Sequence, residues 1–141
     1  MRKHELAEGS RAESSVGRLK RRADFLRVAA ARRRWTAPGL ILQVCPQPDG
    51  VPAEELPLPA IRLGFTASRK VGNAVVRNRA RRRLKALAAE LVAIRAKPGL
   101  DLVLIARPST ADCPFEDLRR DLLQGLQRTK AALPEKKQDL H

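Results

Sequence analysis

The sequence predicts an α+β sandwich, with helices segregated onto one sheet rather than alternating with strands in a doubly wound fold. Three observations carry this expectation. A long stretch from about 74 to 95 repeats apolar residues every three or four positions. Three short runs, 40–45, 61–67 and 100–106, have the length and apolar content of strands. The order along the chain is helix, two strands, helix, strand, helix. The 141 residues suit one domain. Hydrophobic residues make up 43% but aromatics only 3%, so the core has to be built from Leu, Val, Ile and Ala.

Residues 1–17 are polar and without period, and read as a disordered segment. Residues 18–130 form the predicted domain. From Leu19 to about Ala31 the pattern is helical, with Phe25, Val28 and Ala29 sharing one buried face and Arg21, Arg22 and Arg27 left to solvent. Arg32, Arg33, Arg34 and Trp35 follow, and Pro38-Gly39 marks a turn. Trp35 is open to two readings, stacking on a partner or packing under a loop.

Leu40 to Cys45 reads as a strand, ended by a loop over 46–60 that holds Pro46, Pro48, Pro52, Pro57 and Pro59 and can be neither helix nor central strand. In Ile61 to Ala67, Ile61, Leu63, Phe65 and Ala67 alternate with polar or small residues, as in a strand with one buried face. The helix of 74–95 places Val76, Ala80, Leu84, Leu87, Leu91 and Ile94 in one stripe. Lys97-Pro98-Gly99 stops it, Leu100 to Ala106 is a buried strand, and a last helix spans about 114–130 with Phe115, Leu118, Leu122 and Leu126 inward. Residues 131–141 read as a flexible tail.

Charge points to a partner class. Lys and Arg number 29 against 15 Asp and Glu, a net +14. Residues 61–97 carry eleven basic groups against Glu90 alone, whereas 41–60 hold three acids and no base and 98–141 are balanced. A field so localised attracts polyanions. Cys45 and Cys113 lie far apart without a CxxC or Cys-His cluster, and His4 and His141 stand at opposite ends, so neither a zinc site nor a nucleophilic triad is indicated. No apolar run approaches a membrane span or a secretory signal, and the expectation is a cytoplasmic protein with no membrane partner.

The most informative block runs from Ser68 to Leu84. Gly72 permits a tight turn, and Asn73 can cap the following helix by accepting from a first-turn N–H. The free N–H groups there favour a phosphate, with Arg69 and Lys70 just before them. Arg77, Asn78, Arg81, Arg82 and Lys85 fall opposite the apolar stripe, with Arg79 and Arg83 flanking it. Forked guanidinium donors suit phosphate oxygens, and Asn78 suits a base edge or a 2′-hydroxyl. Like charges at i, i+4, such as Arg77 and Arg81, destabilise a free helix and call for an anionic partner.

This block, Arg69-Lys70-Val71-Gly72-Asn73-Ala74-Val75-Val76-Arg77-Asn78-Arg79 with Arg81-Arg82 after it, resembles the RNR signature of the bacterial ribonuclease P protein family. The resemblance extends to Leu19-Lys20, to Asp24 through Val28, and to the Asp101–Arg107 strand, spanning about Leu19 to Arg128. It implies a two-layer sandwich with a central sheet of about four strands and a left-handed β-α-β crossover, an exception to the usual hand. It implies that Gly72, Asn73, Arg77, Asn78, Arg79, Arg81 and Arg82 meet the catalytic ribonuclease P RNA. A cleft between the first helix and the sheet would take the 5′ leader of precursor tRNA, through Phe25, Gln43, Arg69 and Lys70.

Two family aromatics of that cleft correspond to Ala29 and Gln43 here, which shifts leader binding from stacking toward charge and hydrogen bonding. By the same resemblance the protein carries no catalytic residue. Magnesium would be bound mainly by the RNA and not tightly by the protein, and no obligate protein partner is expected. The competing expectations are a structural RNA-binding protein of ribosomal type and, more distantly, a DNA binder with helix 74–95 in a major groove.

Overall fold

The computed structural model describes residues 14–134. Its elements are strand β1 (Val16–Arg18), helix α1 (Arg22–Ala30), strands β2 (Arg33–Thr36), β3 (Leu40–Pro46) and β4 (Ile61–Thr66), helix α2 (Ala74–Arg95), strand β5 (Leu100–Ala106) and helix α3 (Phe115–Arg128). The five strands form one sheet in the order β1-β4-β5-β3-β2. β4 and β5 are parallel neighbours joined through α2, β1 runs parallel to β4, and β3 is antiparallel to both β5 and β2.

The sheet is covered unequally. One face carries the main core, where Leu40, Leu42, Val44, Ile61, Leu63, Leu102 and Leu104 meet Ala80, Leu84, Leu87 and Leu91 of α2 and Leu118, Leu122 and Leu126 of α3. The other face carries only α1, over a small cluster of Leu19, Val28, Cys45 and Val103 with Phe25 and Ile105 at its margin. Aliphatic side chains fill the fully buried centre, with Phe65 and Phe115 packed at its margin. Each such burial contributes about 1.5–3 kcal/mol.

The two outer strands escape the periodicity argument. β2 is the Arg33-Arg34-Trp35-Thr36 run, which lacks aliphatics but forms a hairpin with β3 through the Pro38-Gly39 turn, closed by the Ala37 N–H donating to the Leu40 carbonyl at 2.9 Å. β1 is three residues long and is held by backbone pairing, its ends marked by bonds from the Ile61 N–H to the Ser15 carbonyl and from the Leu19 N–H to the Leu63 carbonyl. The polar segment expected to be disordered through residue 17 therefore joins the sheet at its end, while residues 1–13 lie outside the described residues. Similarly, the expected tail begins as attached chain. Ala131 is buried and Ala132 bridges Ala96, whereas 135–141 lie outside the description.

Four side-chain expectations are corrected. Ile94 is 41% exposed, and Ala88 and Val92 are buried in its place. The buried row follows the four-residue spacing Ala80, Leu84, Ala88, Val92, which stays against the sheet as the helix ends. Arg27 leaves solvent to ion-pair beneath α1, and Ala29, expected on the buried face with Phe25 and Val28, is exposed because that face turns past the edge of the small cluster. Trp35 packs on the core face, where Gly125 of α3 makes room: a Cβ there would lie 3.2 Å from the indole. Arg128 covers the ring at 5.1 Å from its centroid. Cys45 and Cys113 are both free thiols. Among the described residues no helix is long and apolar enough to cross a membrane.

Candidate nucleic-acid interface

The start of α2 is built as its sequence suggests. The Val76 N–H donates to Asn73 Oδ1 at 3.0 Å, closing the cap. Gly72 sits at φ +152°, and a Cβ there would approach Val76 to 2.9 Å, so the turn admits only glycine without strain. Before it, Arg69 and Lys70 lie exposed in a short turn of 3-10 helix, capped by the Lys70 N–H donating to Ser68 Oγ at 3.3 Å. Neither forms an ion pair among the described residues.

Along α2 the predicted RNA-facing residues divide. Asn78, Arg82 and Lys85 are exposed, and Arg81 is half-buried. Arg81 donates to Asn78 Oδ1 at 2.8 Å, leaving the Asn78 amide N–H groups outward. Arg82 and Lys85 make no ion pair among the described residues. Arg77 and Arg79 form the borders of this face. Arg77 donates to the Gly72 carbonyl at 3.3 Å, and Arg79 pairs with the exposed Asp112 at 3.0 Å. Arg83 turns away altogether, donating to the Thr110 carbonyl at 2.6 Å and lying over Phe115. Glu90, the one acid of this segment, is engaged by Arg119 of α3 and leaves the basic face uncompensated.

The second surface is the sheet face that α1 only partly covers. The strand register places Gly64, Val103, Gln43 and Arg34 in one row across it, and Thr66, Ile105, Ile41 and Thr36 in the next. Phe25 packs against Gly64 in the first row. A Cβ on Gly64 would come within 2.4 Å of its ring, so the glycine is what lets the aromatic approach the strand. The second row is open to half-buried, and Ala29 on α1 is exposed beside it. Gln43 is 8% exposed and its amide makes no side-chain hydrogen bond among the described residues. Arg69 and Lys70 leave β4 next to Thr66, at the rim. Of the four predicted cleft residues, Phe25 and Gln43 thus share this sheet face, while Arg69 and Lys70 stand in the turn beyond the end of β4.

Sequence reasoning passed over two features here. Arg34 stands directly opposite Gln43 and exposed, on the same face; the signal was an arginine alternating with Trp35 in a strand disguised by its charge. Beneath α1, Arg62 grips Asp101 with two hydrogen bonds, Nε to Oδ1 at 2.9 Å and Nη2 to Oδ2 at 2.7 Å. Arg27 donates to the same carboxylate, and Asp24 lies 3.3 Å from Arg27 and 3.6 Å from Arg62. The hydrogen bonds that Arg62 donates to Asp101 are the largest influence on Arg62 and raise its pKa. For Arg27, burial is the largest and lowers it, but the hydrogen bonds and charges of Asp101 and Asp24 outweigh this and leave a net rise. The visible signal was one opposite charge in each of two otherwise apolar strands.

Among the described residues no three His, Cys, Asp or Glu side chains converge as a metal site requires. The acids nearest the cleft, Asp24 and Asp101, are already matched by arginines, so these residues do not fit a tightly held cation. A cavity of about 330 Å³ beside β1 is lined by Arg18, Lys20 and Arg21 but also by Asp24, Glu54 and Glu55, a mixture that does not favour a polyanion.

The family model described as ribonuclease P matches residues 14–130. The chain belongs to that family. It is 52% identical to the ribonuclease P protein component of Paramagnetospirillum magneticum over 116 residues, covering 82% of this chain and 84% of the relative. It is 44% identical to that of Ruegeria pomeroyi over 124 residues, covering 87% and 94%. Among solved structures, the RNase P protein of Staphylococcus aureus superposes with a TM-score of 0.63 at 24% identity, covering 81% of this chain and 95% of that one. The RNase P protein of Thermotoga maritima gives 0.60 at 22%, covering 76% and 92%. At these identities the structures establish the α+β fold.

Proposed function

We propose that this protein is the ribonuclease P subunit that binds the catalytic RNA through the start and outer face of α2 and the 5′ leader of precursor tRNA through the strip between α1 and the sheet. Family membership carries the reading, and the two separate basic surfaces support it. The outer face of α2, with Asn78, Arg81, Arg82 and Lys85, suits a folded RNA backbone. The strip is narrow, floored by Gln43, Ile41 and Ile105 and edged by Phe25, Arg34, Arg69 and Lys70, which suits a single strand whose bases can stack and hydrogen-bond while its phosphates meet guanidinium groups.

In this reading the protein makes and breaks no bond. Hydrolysis at the mature 5′ end belongs to the RNA, which also holds most of the magnesium. The protein supplies fixed counter-charge and extra contact to the leader, raising substrate affinity and lowering the magnesium needed. It works where precursor tRNA is made, in the cytoplasm, without an obligate protein partner.

The test is cleavage of precursor tRNA by a bacterial ribonuclease P RNA at low magnesium, with this protein, with none, and with an unrelated protein of similar charge. Cleavage at the mature 5′ end restored by this protein alone supports the reading. A folded sample that binds RNA but never stimulates cleavage, across several RNA subtypes, would replace it with a structural RNA-binding role.

A further inference from the structure

Helix α1 forms one wall of the leader strip, yet little apolar contact holds it there. Of its nine residues only Val28 is fully buried, with Phe25 half-covered. Beyond that small apolar cluster, what joins it to the sheet is ionic: Asp24 and Arg27 from α1, Arg62 from β4 and Asp101 from β5, arranged in alternating charge. Arg27 also donates to the Pro46 carbonyl at 2.9 Å and lies 3.2 Å from Cys45 Sγ, which fixes the helix over the end of β3 as well. We propose that this network positions α1 so as to set the width of the leader strip, and thereby the affinity for single-stranded leader.

Three points lead there. Asp101 is fully buried and Arg62 only 5% exposed, so neither can touch RNA and any effect on binding has to pass through α1. Replacing a buried ion pair by apolar residues of similar volume is often neutral or stabilising, whereas such groups are best attested as devices that fix register. Finally, the network occupies the opposite sheet face from α2, so it can alter leader binding without altering the surface offered to the catalytic RNA.

The inference rests on the leader reading above, and the experiment separates the two. Wild-type protein, Arg27→Met, Asp101→Asn and the double variant are each assembled with the same bacterial ribonuclease P RNA. Affinity for precursor tRNA is measured over a series of leader lengths, together with each protein's affinity for the RNA subunit and its circular dichroism. For long leaders each single variant should bind about tenfold more weakly, the size of an ordinary coupling between sites. Leaders too short to enter the strip should bind as before, and affinity for the RNA subunit should hold. The double variant should lose no more than the worse single one, because both act through the same wall. Arg27→Lys, which keeps the charge, should recover part of the loss.

Additive losses would mean that Arg27 touches the leader itself, and equal losses at every leader length would mean general damage; either overturns the proposal. Unchanged affinity in the folded variants overturns it while leaving the leader reading intact. If wild-type affinity were independent of leader length, the leader reading would fail and this proposal with it. Should Asp101→Asn not fold, Arg27→Met decides alone, since Asp101 then keeps both hydrogen bonds from Arg62.

Discussion

At the scale of single residues, backbone geometry separates two positions of similar appearance. Gly72 and Arg32 both have positive φ, +152° and +61° respectively. Gly72→Ala would add a Cβ at 2.9 Å from Val76 on the helix the cap begins, with an unfavourable dihedral besides. The expected cost is about 1–3 kcal/mol in a urea melt, with weaker binding to the catalytic RNA as the helix start shifts. Arg32 is the opposite case, a side chain bearing the left-handed conformation that closes α1. Arg32→Gly should stabilise the fold by about 0.5–1 kcal/mol, read as a higher denaturation midpoint. The role of Gly72 is legible in sequence because Asn73 and the basic helix frame it. The strain at Arg32 is not, because nothing in an arginine run tells which member ends the turn.

At the scale of elements, the buried network makes a stability prediction distinct from its effect on binding. Asp101→Ala leaves Arg27 and Arg62 with only the less closely placed Asp24 as counter-charge, and should cost about 3–5 kcal/mol in chemical denaturation. The alkaline side of the same network is insensitive. Arg62 has its folded pKa raised above its unfolded one, so its contribution is fully present below the unfolded value and is lost only as pH rises through the folded value. That window lies beyond any working buffer. The helices and the three inner strands were readable because apolar spacing reports burial directly. β1 and β2 were not, since an edge strand paired through its backbone needs no apolar side chain. The Arg62–Asp101 contact was likewise hidden: each residue is a single charge on its own strand, and only the parallel register of β4 and β5 sets them side by side.

For the whole molecule, the unequal covering of the sheet separates the two surfaces. RNA binding should fall steeply with salt, because the exposed arginines release counterions when they meet phosphate. Arg81→Ala with Arg82→Ala should weaken affinity for the catalytic RNA and lower the slope of log K against log salt by about one for each phosphate contact removed, with circular dichroism unchanged. An unaltered slope would show that these two side chains do not meet phosphate. The α2 and cleft residues were named from sequence through the family motif; on α2 the structure leaves Asn78 and Arg82 exposed but engages Arg77 and Arg79 at the border. Motif and periodicity alone do not reveal that an ion network joins α1 to the sheet beside its small apolar contact, which depends on the fold as a whole.

Trp35 is the chain's single tryptophan, and its indole nitrogen is buried without a hydrogen-bond partner among the described residues. It sits between β2 and α3, on the face turned away from the leader strip. The molecule therefore carries an intrinsic fluorophore that reports one event and ignores another. Its emission should shift to the red when α3 detaches in denaturant, and should stay constant when a single-stranded oligonucleotide is titrated into the strip. An emission change that saturates with oligonucleotide while the fold is intact would mean that binding on one side of the sheet reaches the core on the other.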